Sequence, residues 1–137
     1  MSWFRHKYEG RLKISVVKNR VTSTCVVTIT GYKGIYDDDS VVGKSTRQLR
    51  RLKQWTNLTI DCRDLKPIKE AGFGCDFVAM LLKFLAVAIK RNATWHMTFQ
   101  NRDQVTDILC LCNLWSIFNG HLDSSNEPAP HSTKIPA

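Results

Sequence analysis

The sequence predicts an α/β fold in which strands and helices alternate, with a largely parallel second half. Three observations indicate this fold: two strand-like stretches in the first 32 residues, two further strand candidates at 57–62 and 93–99, and helix-length segments between and after these later strands. Such alternation is typical of a layered α/β fold with right-handed crossover connections. A chain of 137 residues with 43% apolar residues suits one domain with a core of its own.

The first part of the chain predicts two strands and a helix. Residues 11–17 alternate apolar and polar side chains, a pattern typical of a half-buried strand. Residues 23–32 are rich in β-branched side chains and predict a second strand, joined to the first by a hairpin or another short connection. Asp39 or Ser40 is then expected to cap a helix that runs to about residue 53.

The second part predicts strand, helix, strand and helix in that order. The strands are expected at 57–62 and 93–99, and the helices at 72–91 and 102–118. The helix at 72–91 is apolar nearly all round. That pattern indicates either burial on two sides or a face that is offered to a partner.

The two ends of the chain and its longest apolar run predict the domain boundaries and the cellular location. Residues 1–119 are predicted to form the domain, and residues 120–137, with Ser, Pro and His and little to bury, a flexible tail. The opening MSWFRHKYEG lacks the apolar segment of a signal peptide. The longest apolar run, 77–89, is interrupted by Lys83 and is short for a bilayer span. We therefore expect a cytoplasmic protein with no membrane span.

The net charge of +8 raises the alternative of a nucleic-acid binder, because Lys and Arg neutralise phosphates. The densest basic run places Arg47, Arg50, Arg51 and Lys53 on or beside the first predicted helix. The same residues also fit the ordinary solvated face of an amphipathic helix. No aromatic residues alternate with these charges, which argues against a groove for single-stranded nucleic acid.

No motif predicts catalysis. Residues 43–46, GKST, resemble the end of a phosphate-binding loop, but Asp38 occupies the position where that loop requires a glycine. No candidate nucleophile has a neighbouring base and an orienting group at a recognisable spacing. We therefore expect no catalytic residues and no enzyme activity.

The five cysteines predict neither a metal site nor a cofactor. Cys62, Cys75, Cys110 and Cys112 have apolar neighbours in the sequence, where a reduced thiol behaves as a small hydrophobic side chain. The CLC stretch at 110–112 lacks a second Cys or His pair at zinc spacing.

One stretch carries a family resemblance. In IDCRDLKPIKEAGFG, residues 60–74, a strand ends in an Asp and is followed by a bend, an Ile, a four-residue signature and a long apolar helix. From about Leu12 to Phe118 the chain resembles STAS domains, the family of bacterial anti-sigma factor antagonists and of cytoplasmic domains of sulfate transporters. The resemblance implies a small mixed sheet of about four strands with helices packed mainly on one face.

The resemblance also implies a non-enzymatic regulatory module that binds a protein. In the antagonists the signature usually reads Asp-Ser-(Ser or Ala)-Gly, and a partner kinase phosphorylates its first Ser. This chain has Lys69, Glu70, Ala71 and Gly72 at those positions. Glu70 has no hydroxyl to phosphorylate, so it is either a permanent mimic of phosphoserine or the mark of a lost switch.

The candidate partner-binding surface is this loop with the first turn of the helix and the face around residues 31–40. Its members are Lys66, Lys69, Glu70, Ala71, Gly72, Phe73 and Phe77. The implied partner is an anti-sigma factor or another kinase-like protein. A transporter complex is the alternative, and a homodimer is also open.

Overall fold

The structure, a computed structural model, describes residues 12–33, 38–67, 74–100 and 102–124. These residues form six strands and four helices. In chain order they are β1 (Lys13–Asn19), β2 (Thr24–Lys33), α1 (Asp38–Arg51), β3 (Asn57–Cys62), β4 (Leu65–Pro67), α2 (Cys75–Lys90), β5 (Thr94–Phe99), α3 (Arg102–Leu111), α4 (Trp115–Phe118) and β6 (Leu122–Ser124).

The strands form one mixed sheet in the order β1-β2-β3-β5-β6, with β4 beside the end of β2. β1 and β2 form the predicted hairpin, in which the side chain of Asn19 accepts hydrogen bonds from the backbone N–H groups of Val21 (2.9 Å) and Thr22 (3.3 Å). Every other strand pair is parallel. The largely parallel second half is therefore confirmed.

The two faces of the sheet differ in burial. Val27, Ile60 and Met97 stand in register across three strands, and all are buried. The next row along the same strands, from Thr28 to Thr98, is half-buried. Because successive strand residues point to opposite faces, the core lies on one side of the sheet. Helix side chains complete this core, as the predicted one-sided packing requires.

α2 supplies the largest helical share of that core. Its buried residues are Phe77, Val78, Met80, Leu81, Phe84, Leu85, Val87 and Ala88. The helix packs against α1, β5 and α3. Burial against these elements explains why α2 is apolar nearly all round, although Leu82 and Ile89 keep part of their side chains exposed.

The predicted helix at 102–118 is divided in two. α3 ends at Leu111, and Asn113 then adopts a left-handed conformation with φ 63°. The backbone N–H of Leu114 donates to the carbonyl of Leu109 at 2.8 Å, which closes the end of α3. The prediction of one continuous helix at 102–118 is therefore wrong, because Asn113 tolerates the left-handed conformation that ends a helix.

The first residues of the predicted tail at 120–137 belong to the sheet. β6 lies inside it and pairs in parallel with β5, with Leu122 opposite Met97. The ring of His121 stacks on Trp95 with centroids 3.8 Å apart, and its Nδ1 lies 2.8 Å from the Trp95 carbonyl oxygen. These contacts attach the chain to the sheet as far as residue 124, where the described residues end.

Candidate functional site

The described part of the candidate surface, Lys66 on β4 and the end of β2, lies where these two strands pair. The strands run parallel, with Gly31 opposite Leu65 and Lys33 opposite Pro67. Gly31 has φ 93°, a left-handed conformation that a glycine adopts without steric cost. The ends of β2 and β4 therefore lie side by side, with Lys33 opposite Pro67.

A bidentate ion pair fixes the turn from β3 to β4. The Nε and Nη2 atoms of Arg63 donate to the two carboxylate oxygens of Asp61 at 2.9 and 2.8 Å. The backbone N–H of Arg63 donates to the same carboxylate at 3.1 Å. The Arg63 side-chain hydrogen bonds lower the pKa of Asp61, against the opposing effect of partial burial. An ionised carboxylate thus holds the turn that leads to the candidate surface.

The predicted site residues have three different outcomes. Lys66 lies on β4 with an exposed side chain. Residues 69–73, which include Glu70, lie outside the described residues. Phe77 is 1% exposed and belongs to the core beneath α2, so it is not available to a partner. The prediction of Phe77 as a contact residue is corrected, because its side chain is packed within the core.

The start of α2 also differs from the prediction. The first helical residue is Cys75 rather than residue 72, and Gly74 precedes it without a side-chain cap. Asp76 lies in the first turn, and its Oδ1 accepts the backbone N–H of Phe77 at 3.0 Å. Because the helix dipole acts mainly within the first turn, Asp76 is the carboxylate that it stabilises.

Two cysteines beside this helix start are a feature that the sequence reading missed. Cys75 is exposed, Cys112 is half-buried at the end of α3, and their Sγ atoms are 3.8 Å apart. Desolvation, reinforced by the hydrogen bond and charge of Cys75, raises the pKa of the Cys112 thiol. Asp76 is no sequence signal for the exposure of Cys75, because it is equally the neighbour of the buried Phe77. The pairing itself depends on tertiary structure.

The GKST stretch is part of α1 and not a phosphate-binding loop. Ser45 and Thr46 are buried, and the Thr46 hydroxyl donates to the Gly43 carbonyl at 2.9 Å. Within the described ranges, no group of three or more His, Cys, Asp or Glu side chains could hold a metal ion. Among the helices described, none is long and apolar enough to cross a membrane.

A polar cleft lies near the β1–β2 turn. Its volume is about 360 Å³, and its walls are formed by Lys18, Arg20, Ser23 and Gln54. These residues lie near the first residues of β2 and β3, whereas Lys66 of the candidate surface pairs with β2 near the end of that strand. The cleft is therefore separate from Lys66.

Comparison with known proteins identifies the fold. No protein-family model matches the sequence, and a search of curated proteins finds none that matches. A solved structure of the anti-sigma factor antagonist SpoIIAA in its unphosphorylated form does match. It is 9% identical with a TM-score of 0.57, and the match covers 91% of this chain and 95% of that chain.

A second solved structure gives the same result. It is an anti-sigma factor antagonist from Mycobacterium paratuberculosis, 11% identical with a TM-score of 0.51, and the match covers 92% of this chain and 94% of that chain. At these identities the matches show the fold. The chain has a STAS-like fold, as the resemblance of the sequence predicted.

Proposed function

We propose that this protein is a non-enzymatic regulatory module that binds a protein partner, in the manner of an anti-sigma factor antagonist. The observation that supports the proposal is the match of the whole fold to two such antagonists over more than 90% of the chain. A fold alone does not determine function. The second support is therefore local: in the sequence the four-residue signature begins two positions after Pro67, the last residue of β4, and β4 pairs with the end of β2.

The binding surface proposed here is the segment from Lys66 to Phe73 together with the adjoining end of β2. Lys66 and Lys69 supply positive charge and Glu70 negative charge, so the surface suits a partner with complementary charges. An anti-sigma factor or another kinase-like protein is the class of partner that we propose. Phe77 is omitted from this surface because it is buried.

A transporter complex as partner has less support. That alternative used the extensively apolar α2 as a docking face, but eight of its side chains are buried inside this chain. Leu82 and Ile89 are the α2 residues that remain as exposed large apolar side chains. We therefore keep the signature loop, residues 68–74, rather than α2, as the proposed contact surface.

Glu70 decides between two forms of the proposal. A phosphoserine carries nearly two negative charges and three acceptor oxygens, whereas a Glu carries one charge and two oxygens. If Glu70 mimics phosphoserine, the protein is held permanently in one signalling state. If the switch has been lost, Glu70 contributes charge to a surface whose partner binding is not regulated by phosphorylation.

The test is a capture experiment with matched charge variants. The full chain is immobilised, and proteins retained from the native cell extract are quantified by mass spectrometry. We expect a partner that the wild type retains and Glu70→Lys binds at least about 10-fold more weakly, equivalent to about 1.4 kcal/mol. Lys90→Glu is the control, because Lys90 is exposed at the opposite end of α2.

Binding of the same partner then distinguishes the two proposed roles of Glu70. If Glu70 is a mimic, Glu70→Ser alters the affinity for the purified partner, and phosphorylation of the new Ser by a partner kinase reverses the change. Equal affinity of wild type and Glu70→Ser, with and without the kinase, contradicts the mimic. Retention of the same proteins by wild type, Glu70→Lys and Lys90→Glu would contradict the proposed surface.

A further inference from the structure

The five cysteines fall into two groups. Cys25 and Cys62 are buried in the sheet, and burial raises the pKa of both thiols, which makes them poor nucleophiles. Cys75 and Cys110 are exposed on α2 and α3, and Cys112, the residue after α3, is half-buried against the core. Of these three, Cys75 and Cys112 have their Sγ atoms 3.8 Å apart, although 37 positions separate them in the sequence.

We propose that Cys75 and Cys112 form a reversible thiol–disulfide site that joins the first turn of α2 to the end of α3. A disulfide needs an Sγ–Sγ distance of about 2.05 Å, so the sulfurs must approach by about 1.8 Å from their present positions. The exposure of Cys75 and its place at a helix terminus allow this approach by side-chain rotation and by small movements of the first turn.

The co-reactant is a small disulfide of the glutathione class, RSSR. The Cys75 thiolate attacks one sulfur of RSSR, which breaks the S–S bond, forms a mixed disulfide and releases RSH after protonation. The Cys112 thiolate then attacks the Cys75 sulfur and releases a second RSH. Two protein thiols lose two electrons and two protons, and RSSR gains them as two RSH, so the exchange balances.

The sequence of attack follows from exposure. Cys75 is exposed and can reach a reagent in solvent, whereas Cys112 is half-buried and has a raised pKa. Cys112 is therefore suited to the second, intramolecular step, where proximity offsets a smaller thiolate fraction. Cys110 is exposed on α3 but is two positions from Cys112, and among the described residues its thiol has no sulfur neighbour like the one that Cys75 and Cys112 share.

The bond would act on the candidate surface. The signature loop ends at Gly74, and Cys75 is the next residue, so a link from Cys75 to α3 restrains one end of that loop. Any resulting change in partner affinity rests on the proposed function. The disulfide itself does not.

The experiment uses the full chain, first fully reduced and then incubated with oxidised glutathione. After quenching, free thiols are alkylated in denaturant and the intact mass is measured. We expect three alkylated cysteines instead of five, a monomeric protein, and a crosslinked peptide containing residues 75 and 112. Because the bond closes a loop of about 37 residues, we expect the oxidised form to melt roughly 10 °C higher.

Matched variants identify the pair. Cys75→Ser and Cys112→Ser should each lose the intramolecular crosslink, whereas Cys110→Ser should keep it. Circular dichroism and gel filtration check that every variant is folded. The peptide map of the wild type provides the same information without any substitution, so a variant that fails to fold does not decide the outcome.

Two results would overturn the proposal: a stable glutathione adduct on Cys75 without a crosslink to Cys112, or a crosslink that involves Cys110. Partner binding is measured separately on the reduced and oxidised forms. Equal affinities with the disulfide present contradict regulation of the surface. Failure of both forms to bind any partner contradicts the proposed function, while the mass measurement still decides the disulfide.

Discussion

At the scale of single residues, Asp61 connects the sheet to the candidate surface through its ion pair with Arg63. Its pKa is lowered in the folded protein by the Arg63 side-chain hydrogen bonds. A carboxyl group with a depressed folded-state pKa stabilises the fold above its unfolded pKa, about 3.9 for Asp. This stabilisation is lost as the pH falls from there through the folded-state pKa.

The pH dependence of Asp61→Asn should therefore be smaller than that of the wild type. Asn cannot ionise, so the variant is less stable than the wild type at pH 7, and the two converge as the pH falls through the folded-state pKa of Asp61. Urea unfolding at pH 7, 4, 3 and 2 measures the difference. Asp107→Asn, which removes an exposed carboxylate in the middle of α3, is the control. A constant difference between wild type and Asp61→Asn at every pH would contradict the assigned role.

The burial of individual side chains was the property that could least be predicted from the sequence. Cys75 and Phe77 both follow the signature loop among apolar neighbours, yet one is exposed and the other is buried. The difference depends on where α2 begins and on how the helix is rotated against the sheet. Local composition contains neither quantity.

At the scale of elements, the rotation of α2 about its axis determines how much each of its side chains contributes to the free energy of unfolding. Leu81 is 0% exposed and its neighbour Leu82 is 39% exposed. Leu81→Ala should lower the free energy of unfolding by about 2–5 kcal/mol, because it removes buried methyl groups and leaves a cavity. Leu82→Ala, the matched control, should lower it by less than about 1 kcal/mol.

Urea unfolding with a common slope compares the two variants. The two substitutions have the same chemistry and nearly the same place in the chain, so helix propensity cancels between them. Similar losses for both would contradict the orientation of α2, and with it the burial of Phe77.

Elements with a long repeating pattern were predictable, and short ones were not. The strands around residues 57–62 and 94–99 and the long helix were predicted from β-branched content and apolar length, and they lie within a few residues of their expected bounds. β4 and β6 have three residues each, which is too short for any period to appear. Both exist because a longer parallel strand provides their hydrogen-bond partners.

At the scale of the whole molecule, the order of elements was more informative than any motif. Alternation predicted parallel pairing, and the parallel pairing of β2 with β4 brings the ends of these two strands together. Because β4 is too short to be predicted, the position of Lys66 beside the end of β2 was not evident in the sequence. Lys69 and Glu70, the charged members of the candidate surface, lie outside the described residues, so their place stays a prediction.

The aromatic residue that follows the exposed cations of α1 is buried, which argues against specific binding of nucleic acid. Arg47, Arg50 and Arg51 are exposed on α1, but Trp55, which follows that helix, is 2% exposed. The guanidinium of Arg91 lies over the Trp55 ring at 4.2 Å from its centroid. This ring is therefore unavailable for base stacking, and the cations of α1 can offer phosphate contacts without base readout.

We therefore expect weak, sequence-independent retention of nucleic acid that depends steeply on salt. With about four phosphate contacts, the affinity should fall roughly 150-fold for duplex and roughly 50-fold for single strands between 50 and 200 mM salt. The double variant Arg47→Ala/Arg50→Ala should reduce the slope of log affinity against log salt by about two. Lys83→Ala/Lys90→Ala removes the same charge from exposed positions of α2 and is the matched control. Fluorescence anisotropy with labelled oligonucleotides makes the measurement, and submicromolar binding at 150 mM salt with a preference for one sequence would contradict this assignment.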